Sequence, residues 1–156
     1  MYFIKALPND ADRIFLEANS YLNVHLNIWS IPQKEYHYFI EKLWWELEPL
    51  GIDAFAVYGS VANGTAKEGS DIDILVLSGK NLTKLQKYNA KMVGRPGEER
   101  MVMLQAFSPL EFEKSLNSGS KFASEAVKWM RIVYDPLNLL KRMKLESKAK
   151  AGKRVS

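Results

Sequence analysis

The sequence predicts an α/β (α+β) fold: a small mixed sheet of about four to five strands, flanked by helices and preceded by an extra helical segment. Three observations carry that expectation. Short apolar runs such as "AFAVY" and "IDILVL" are interleaved with segments whose apolar residues recur at helical spacing. Gly- and Pro-containing stretches such as "GRPGEE" punctuate the runs. Of 156 residues, 47% are hydrophobic and 26% charged, the balance of an ordinary globular domain with a core of its own.

Along the chain, Asn9 or Asp10 is placed to cap a first helix running to about Leu22. "VHLNIWSI" alternates Val24, Leu26 and Ile28, as a short strand or an irregular connector would. Pro32 opens a clearer helix. There Tyr36, Phe39, Ile40, Leu43, Trp44 and Leu47 form one wide apolar stripe, ending near Pro49-Leu50-Gly51. Its aromatics read as core rather than as a platform for bases. Trp44 and Trp45, adjacent on this helix, point about 100° apart, so one of them can lie off the stripe and offer an interface. His25 and His37 have no partner at ligand spacing and read as structural.

"DAFAVYGS" is a short buried strand cut off by Gly59, and "SDIDILVLSG" is the second strand. On the latter, Asp71, Asp73, Leu75 and Leu77 share one face, while Ile72, Ile74 and Val76 share the other. "NLTKLQKYNAKMV" reads as a helix capped by Asn81 or Thr83, and "RMVMLQAF" as a third strand. Ser108 and Pro109 start a helix reaching about Leu116. Another, over about Ser120–Met130, leads into the fourth strand "RIVYD", and Pro136 begins a last helix, "PLNLLKRMKL". The expected organisation is a helical extension over 1–50 packed on the core, a catalytic-type domain over 51–143, and a flexible basic tail over 144–156.

The charge is uneven. From Lys141 onward seven Lys/Arg face the single acid Glu146, a balance of +6. Residues 1–140 hold 15 basic and 17 acidic side chains, a balance of −2. Contact with nucleic acid through the tail is one implication; a solvated terminus is the plainer one. The absence of cysteine excludes disulfides and thiolate metal sites. No apolar run nears the roughly 18 residues of a membrane span. "MYFIKALPNDADR" has Pro, Asn and acids where a secretory segment stays apolar, so a cytoplasmic protein without membrane partners is expected.

The chemistry concentrates in "GSVANGTAKEGSDIDILV". Gly59 has no Cβ, so a phosphate can approach the backbone, and Ser60 adds a hydroxyl donor beside the first amides of a following helix. By itself Gly-Ser after a strand is common in plain turns. Asp71 and Asp73, two apart on a strand, stand on one face about 6–7 Å from each other. That spacing lets two carboxylates share a hard cation such as magnesium, which keeps other positions for water and phosphates. Alone, it equally fits a solvated strand end. Together on neighbouring strands, the two features place phosphate donors beside a carboxylate pair.

Gly59-Ser60, ten intervening residues and Asp71-x-Asp73 resemble the signature of the DNA-polymerase-β-like nucleotidyltransferase superfamily. "FSPLEFEKSL", "SGSKFASEA" and "RIVYDPLNLL" extend the resemblance, over about 52–140, to its minimal, antitoxin-type branch. The resemblance implies that Gly59 and Ser60, with Asn63, Lys67 and Ser70 beside them, hold a nucleoside triphosphate, expected to be ATP. It implies that Asp71 and Asp73 are the catalytic acids and ligate two magnesium ions. Asn63 stands where the family commonly has a basic residue, for which Lys67 is the substitute. The third carboxylate of active members falls here on Met103, with Gln105 next along the face. Gln cannot take a proton at neutral pH, and Glu98 and Glu99 just before the strand are the stand-ins. The implied activity is magnesium-dependent transfer of a nucleoside monophosphate to a protein or small-molecule acceptor. The alternative is a weak or inactive binding module that pairs, as an antitoxin, with a helical HEPN-type toxin.

Overall fold

The structure, a computed structural model, describes residues 21–155. It begins in a helix, α1 (21–29), where the sequence pattern suggested a strand or a connector. Val24, Ile28 and Ile31 are buried at helical spacing, so the apparent alternation was one edge of a helix stripe. The helix expected from Asn9 or Asp10 to about Leu22 lies outside the described residues except at its end. After a turn come α2 (His37–Leu47), β1 (Ala54–Tyr58), a short α3 (Gly59–Asn63) and β2 (Ile72–Leu77). Then follow α4 (Leu82–Gln86), β3 (Lys91–Val93), β4 (Arg100–Phe107), α5 (Pro109–Asn117), α6 (Lys121–Trp129), β5 (Arg131–Tyr134) and α7 (Leu139–Val155).

The strands form one mixed sheet in the order β3-β4-β2-β1-β5. β2 runs parallel to β4 and antiparallel to β1; β5 and β3 close the two edges antiparallel to β1 and β4. The period of two divides the core into two layers. On one face Phe55, Val57, Ile72, Ile74, Val76, Val102 and Leu104 pack against α1 and α2, with Trp44 fully buried. On the other, Ala54, Ala56, Leu75 and Leu77 pack against Phe112, Val127, Leu140 and Met143 of α5, α6 and α7. Trp45 points outward, 53% exposed, as its helical phase requires.

Three expectations about elements are corrected. "NLTKLQKYNAKMV" is not one helix: α4 stops at Gln86, and Ala90, at φ +63, leads into β3. What the apolar pattern hid is that two polar side chains from this stretch complete the sheet. Gln86 donates to the Leu104 carbonyl and accepts from the Ala106 amide, and Asn89 accepts from the Leu104 amide. They satisfy β4 beyond the reach of the short β3. The last helix starts at Leu139 rather than Pro136, because the Asp135 carboxylate accepts from the Leu139 and Lys141 amides. Finally, that helix does not end with "PLNLLKRMKL" but runs on through 144–155. Among the described residues no helix is long and apolar enough to cross a membrane.

Candidate functional site

The site forms where β1 ends, α3 turns away and β2 begins. Tyr58, last in β1, pairs with Asp73 in the antiparallel register, so Gly59 lies beside that carboxylate. Gly59 adopts φ +71, and a Cβ built there would collide with Asp73 Oδ2. Glycine is therefore required twice, for its conformation and for its missing atom. α3 has only five residues, so an anion here would meet individual amides and the Ser60 hydroxyl rather than a long helix dipole.

Asp73 is half-buried and Asp71, just ahead of β2, is exposed. Burial, and then the neighbouring charge of Asp71, push the Asp73 carboxyl up from 3.8 to about 6. Burial first, and Asp73 second, push the Tyr58 phenol up to about 12. Among the described residues neither aspartate forms an ion pair. Two such oxygen donors with no protein cation beside them suit a hard divalent ion, with water and phosphate oxygens filling its other positions.

On the other side, Asp73 is paired with Met103 and Leu75 with Gln105 in the parallel β2–β4 register. Met103 thus occupies the place where the family resemblance expects a third acid. Among the described residues no group of three His, Cys, Asp or Glu side chains is placed to hold a metal, so Glu98 and Glu99 do not complete a triad with the aspartates. Their carbonyls instead accept from the Arg100 guanidinium.

The remaining nucleotide candidates are Asn63, the last residue of α3, and Lys67 and Ser70 on the connection from α3 to β2. Ser70 Oγ accepts from the Lys67 amide at 2.8 Å, and the Ser70 amide returns to the Lys67 carbonyl, a closed turn just ahead of Asp71. The Ser70 hydroxyl oxygen is thereby engaged, while the Lys67 and Asn63 side chains are exposed.

Three supports were not legible as functional. Gln33 clasps Ala66 with both ends of its side-chain amide, Nε2 donating to the Ala66 carbonyl at 2.9 Å and Oε1 accepting from the Ala66 amide at 3.0 Å. Tyr36 donates to the Lys67 carbonyl. Arg131 Nε donates to the Ala62 carbonyl at 2.7 Å, pinning the end of α3 to β5. All three join residues far apart in sequence, and no local motif announces them. His25 contacts Glu41, and His37 contacts the Ile31 carbonyl, both structural as expected.

The model of the nucleotidyltransferase domain family matches residues 40–151. Among solved structures, a toxin–antitoxin with AMP-PNP superposes with a TM-score of 0.41 at 17% identity, covering 73% of this chain and 85% of that one. A mutant form of the toxin–antitoxin MntA-HpeT gives 0.42 at 18% identity, with 74% and 85% covered. No curated protein matches. The family assignment rests on the domain match, which spans α2 to α7.

Proposed function

The chain belongs to the nucleotidyltransferase family, and from that premise we propose that it moves a nucleoside monophosphate from a triphosphate, ATP first among them, to a hydroxyl of a protein or small-molecule acceptor. The observation that carries this reading is the closure of Gly59 onto the Asp73 carboxylate, which sets a cleared backbone turn against a cation-seeking acid. Asp71 and Asp73 would hold the two magnesium ions. Bound there, magnesium supplies charge neutralisation on the triphosphate and on the departing pyrophosphate, and activation of the acceptor oxygen.

The chain's own side chains then have separable tasks. Gly59 and Ser60 receive the phosphates, the first by absence of a side chain and the second by its hydroxyl. Lys67, exposed on the loop that Gln33 anchors, supplies the positive charge that Asn63 does not. In the transfer an acceptor oxygen bonds to the α-phosphorus, the bond to the β-phosphate oxygen breaks, and pyrophosphate leaves. With Met103 beside Asp73 instead of an acid, the acceptor's proton passes to water or to a group the acceptor brings, and the reaction is slow.

That same Met103 favours a second reading: a nucleotide-binding antitoxin whose partner is a HEPN-type helical toxin, with the exposed Trp45 on α2 available for contact. One experiment separates the two. The protein is incubated with magnesium and each α-labelled triphosphate, with and without lysate or the product of the neighbouring gene. Label transferred by wild type and lost in Asp71→Asn and in Asp73→Asn supports the enzyme. Nucleotide binding with no label on any acceptor supports the module. Transfer that survives both substitutions refutes the site.

A further inference from the structure

Beside Gly59 lies an open cleft of about 570 Å³ that the phosphate reading leaves unused. One wall is the outer face of α6. Phe122, Glu125, Ala126 and Trp129 follow one another there at helical spacings of three, one and three, and all line the cleft. The other wall is Tyr58, Gly59 and Asn63, and Lys121, one turn before Glu125, also lines the cleft. Phe122 is 36% exposed and Trp129 50%, although both belong to an amphipathic helix that buries Ala123, Ala126 and Val127. Phe122 is nevertheless held in place: its ring meets Tyr58 edge-on at 5.5 Å and Phe107 at 6.1 Å, and Phe107 in turn leans on the buried Phe112. A fixed aromatic edge, a small alanine floor and an exposed indole, opening beside the phosphate turn, make a slot with an acid, Glu125, in its α6 wall.

We propose that this cleft is the base-binding half of the nucleotide site, and that Glu125 makes it prefer a base carrying an amino group, that is adenine, cytosine or guanine over uracil. The proposal rests on the reading that the triphosphate lies at Gly59. Trp129 and Phe122 supply the stacking surface, which is indifferent to base identity because every base has a π-face. The discrimination comes from Glu125. A carboxylate accepts hydrogen bonds and donates none, so it meets the exocyclic amino group of adenine, cytosine or guanine, whereas uracil offers it only the N3–H, flanked on both sides by carbonyl oxygens that repel it. The cleft is of ordinary ligand-site size.

The test measures dissociation constants of ATP, CTP, GTP, UTP and inorganic tripolyphosphate, each with magnesium, for the full chain and for Trp129→Ala and Glu125→Gln. Tripolyphosphate reports the phosphate half alone. In wild type the three amino-bearing nucleotides are expected to bind about ten-fold or more tighter than tripolyphosphate, the scale of one stacked base, with UTP weaker than all three. Trp129→Ala should bring the ratio of ATP to tripolyphosphate affinity towards one. Glu125→Gln, whose amide donates as well as accepts, should bring UTP to within a few-fold of ATP. If tripolyphosphate binds but the nucleotides gain nothing over it, or keep their gain in Trp129→Ala, the base cleft is refuted and the phosphate site stands. If UTP already equals ATP in wild type, the role of Glu125 is refuted. If neither tripolyphosphate nor any nucleotide binds, both readings fall.

Discussion

Met103 stands directly across from Asp73 in the parallel β2–β4 pair, on the same face of the sheet. Neighbouring strands are about 4.8 Å apart, so an acid at 103 would lie within reach of a cation held by Asp73. Met103→Asp is therefore predicted to add the missing carboxylate. Without magnesium the extra charge beside Asp73 lowers the melting temperature; with magnesium, labelled transfer rises by roughly 10²-fold, the scale of a restored general base. A folded Met103→Asp variant no faster than wild type would show that the absent acid is not what limits the chemistry.

Gly59 offers a test of the turn. Alanine there adopts φ +71 at a cost of about 1–2 kcal/mol and displaces the Asp73 carboxylate. Gly119, at φ +86 with nothing within 4 Å of where a Cβ would stand, carries the same backbone penalty without the collision. Both alanine variants should melt several degrees lower, but only Gly59→Ala should lose stabilisation by magnesium and ATP. Equal responses to ligand in the two would contradict the role given to Gly59.

The raised acidity constant of Asp73 fixes a pH dependence. Below its ordinary value of 3.8 both folded and unfolded chains hold the proton, and between there and about 6 the folded chain holds it more tightly. Stability contributed by this group is thus present at low pH and is lost as pH rises through about 6. Asp73→Asn should stabilise the metal-free protein above that pH, by on the order of 1 kcal/mol after discounting for a half-exposed group, and change little near pH 4. Protection of the wild type by magnesium should run the other way and fade below about pH 6, where protons compete for the carboxylate. Chemical denaturation at pH 4.5 and 7.5 reads both.

Gln33 lies far from the aspartates in sequence and holds the loop before them by two hydrogen bonds to Ala66. Gln33→Ala is expected to cost about 1–2 kcal/mol. It should raise the KM for nucleotide several-fold while leaving kcat nearly unchanged, because the loop loosens but the acids keep their places at β2. A fall in kcat with KM unaltered would place Gln33 in the chemistry itself.

The two-layer sheet was legible because strand alternation is strict. Ile72, Ile74 and Val76 face one layer and Leu75 and Leu77 the other, as their order requires. The same period put Asp71 and Asp73 on one face, while Met103, the position that the family resemblance gave for the third acid, is paired with Asp73 across β2 and β4. Local pattern failed where tertiary partners decide. Val24 and Ile28 alternate like a strand yet lie on a helix, and residues 82–93 look helical yet break so that Gln86 and Asn89 can serve β4. The α6 cleft was hidden for a related reason: Phe122 and Trp129 are ordinary apolar spacings until α3 and α6 come together around Gly59.

The most direct test of the Gly59–Asp71–Asp73 site is the thermal shift of the full chain by ATP with magnesium, compared with Asp73→Asn at pH 7.5. At a ligand concentration about 100 times the dissociation constant, binding adds about 2.7 kcal/mol. For a chain of this size that is a rise of roughly 5–10 °C in Tm. The wild type should show that rise only when both magnesium and ATP are present, and Asp73→Asn should show none. An equal rise in the two proteins, or none in the wild type at saturating ligand, would contradict the site.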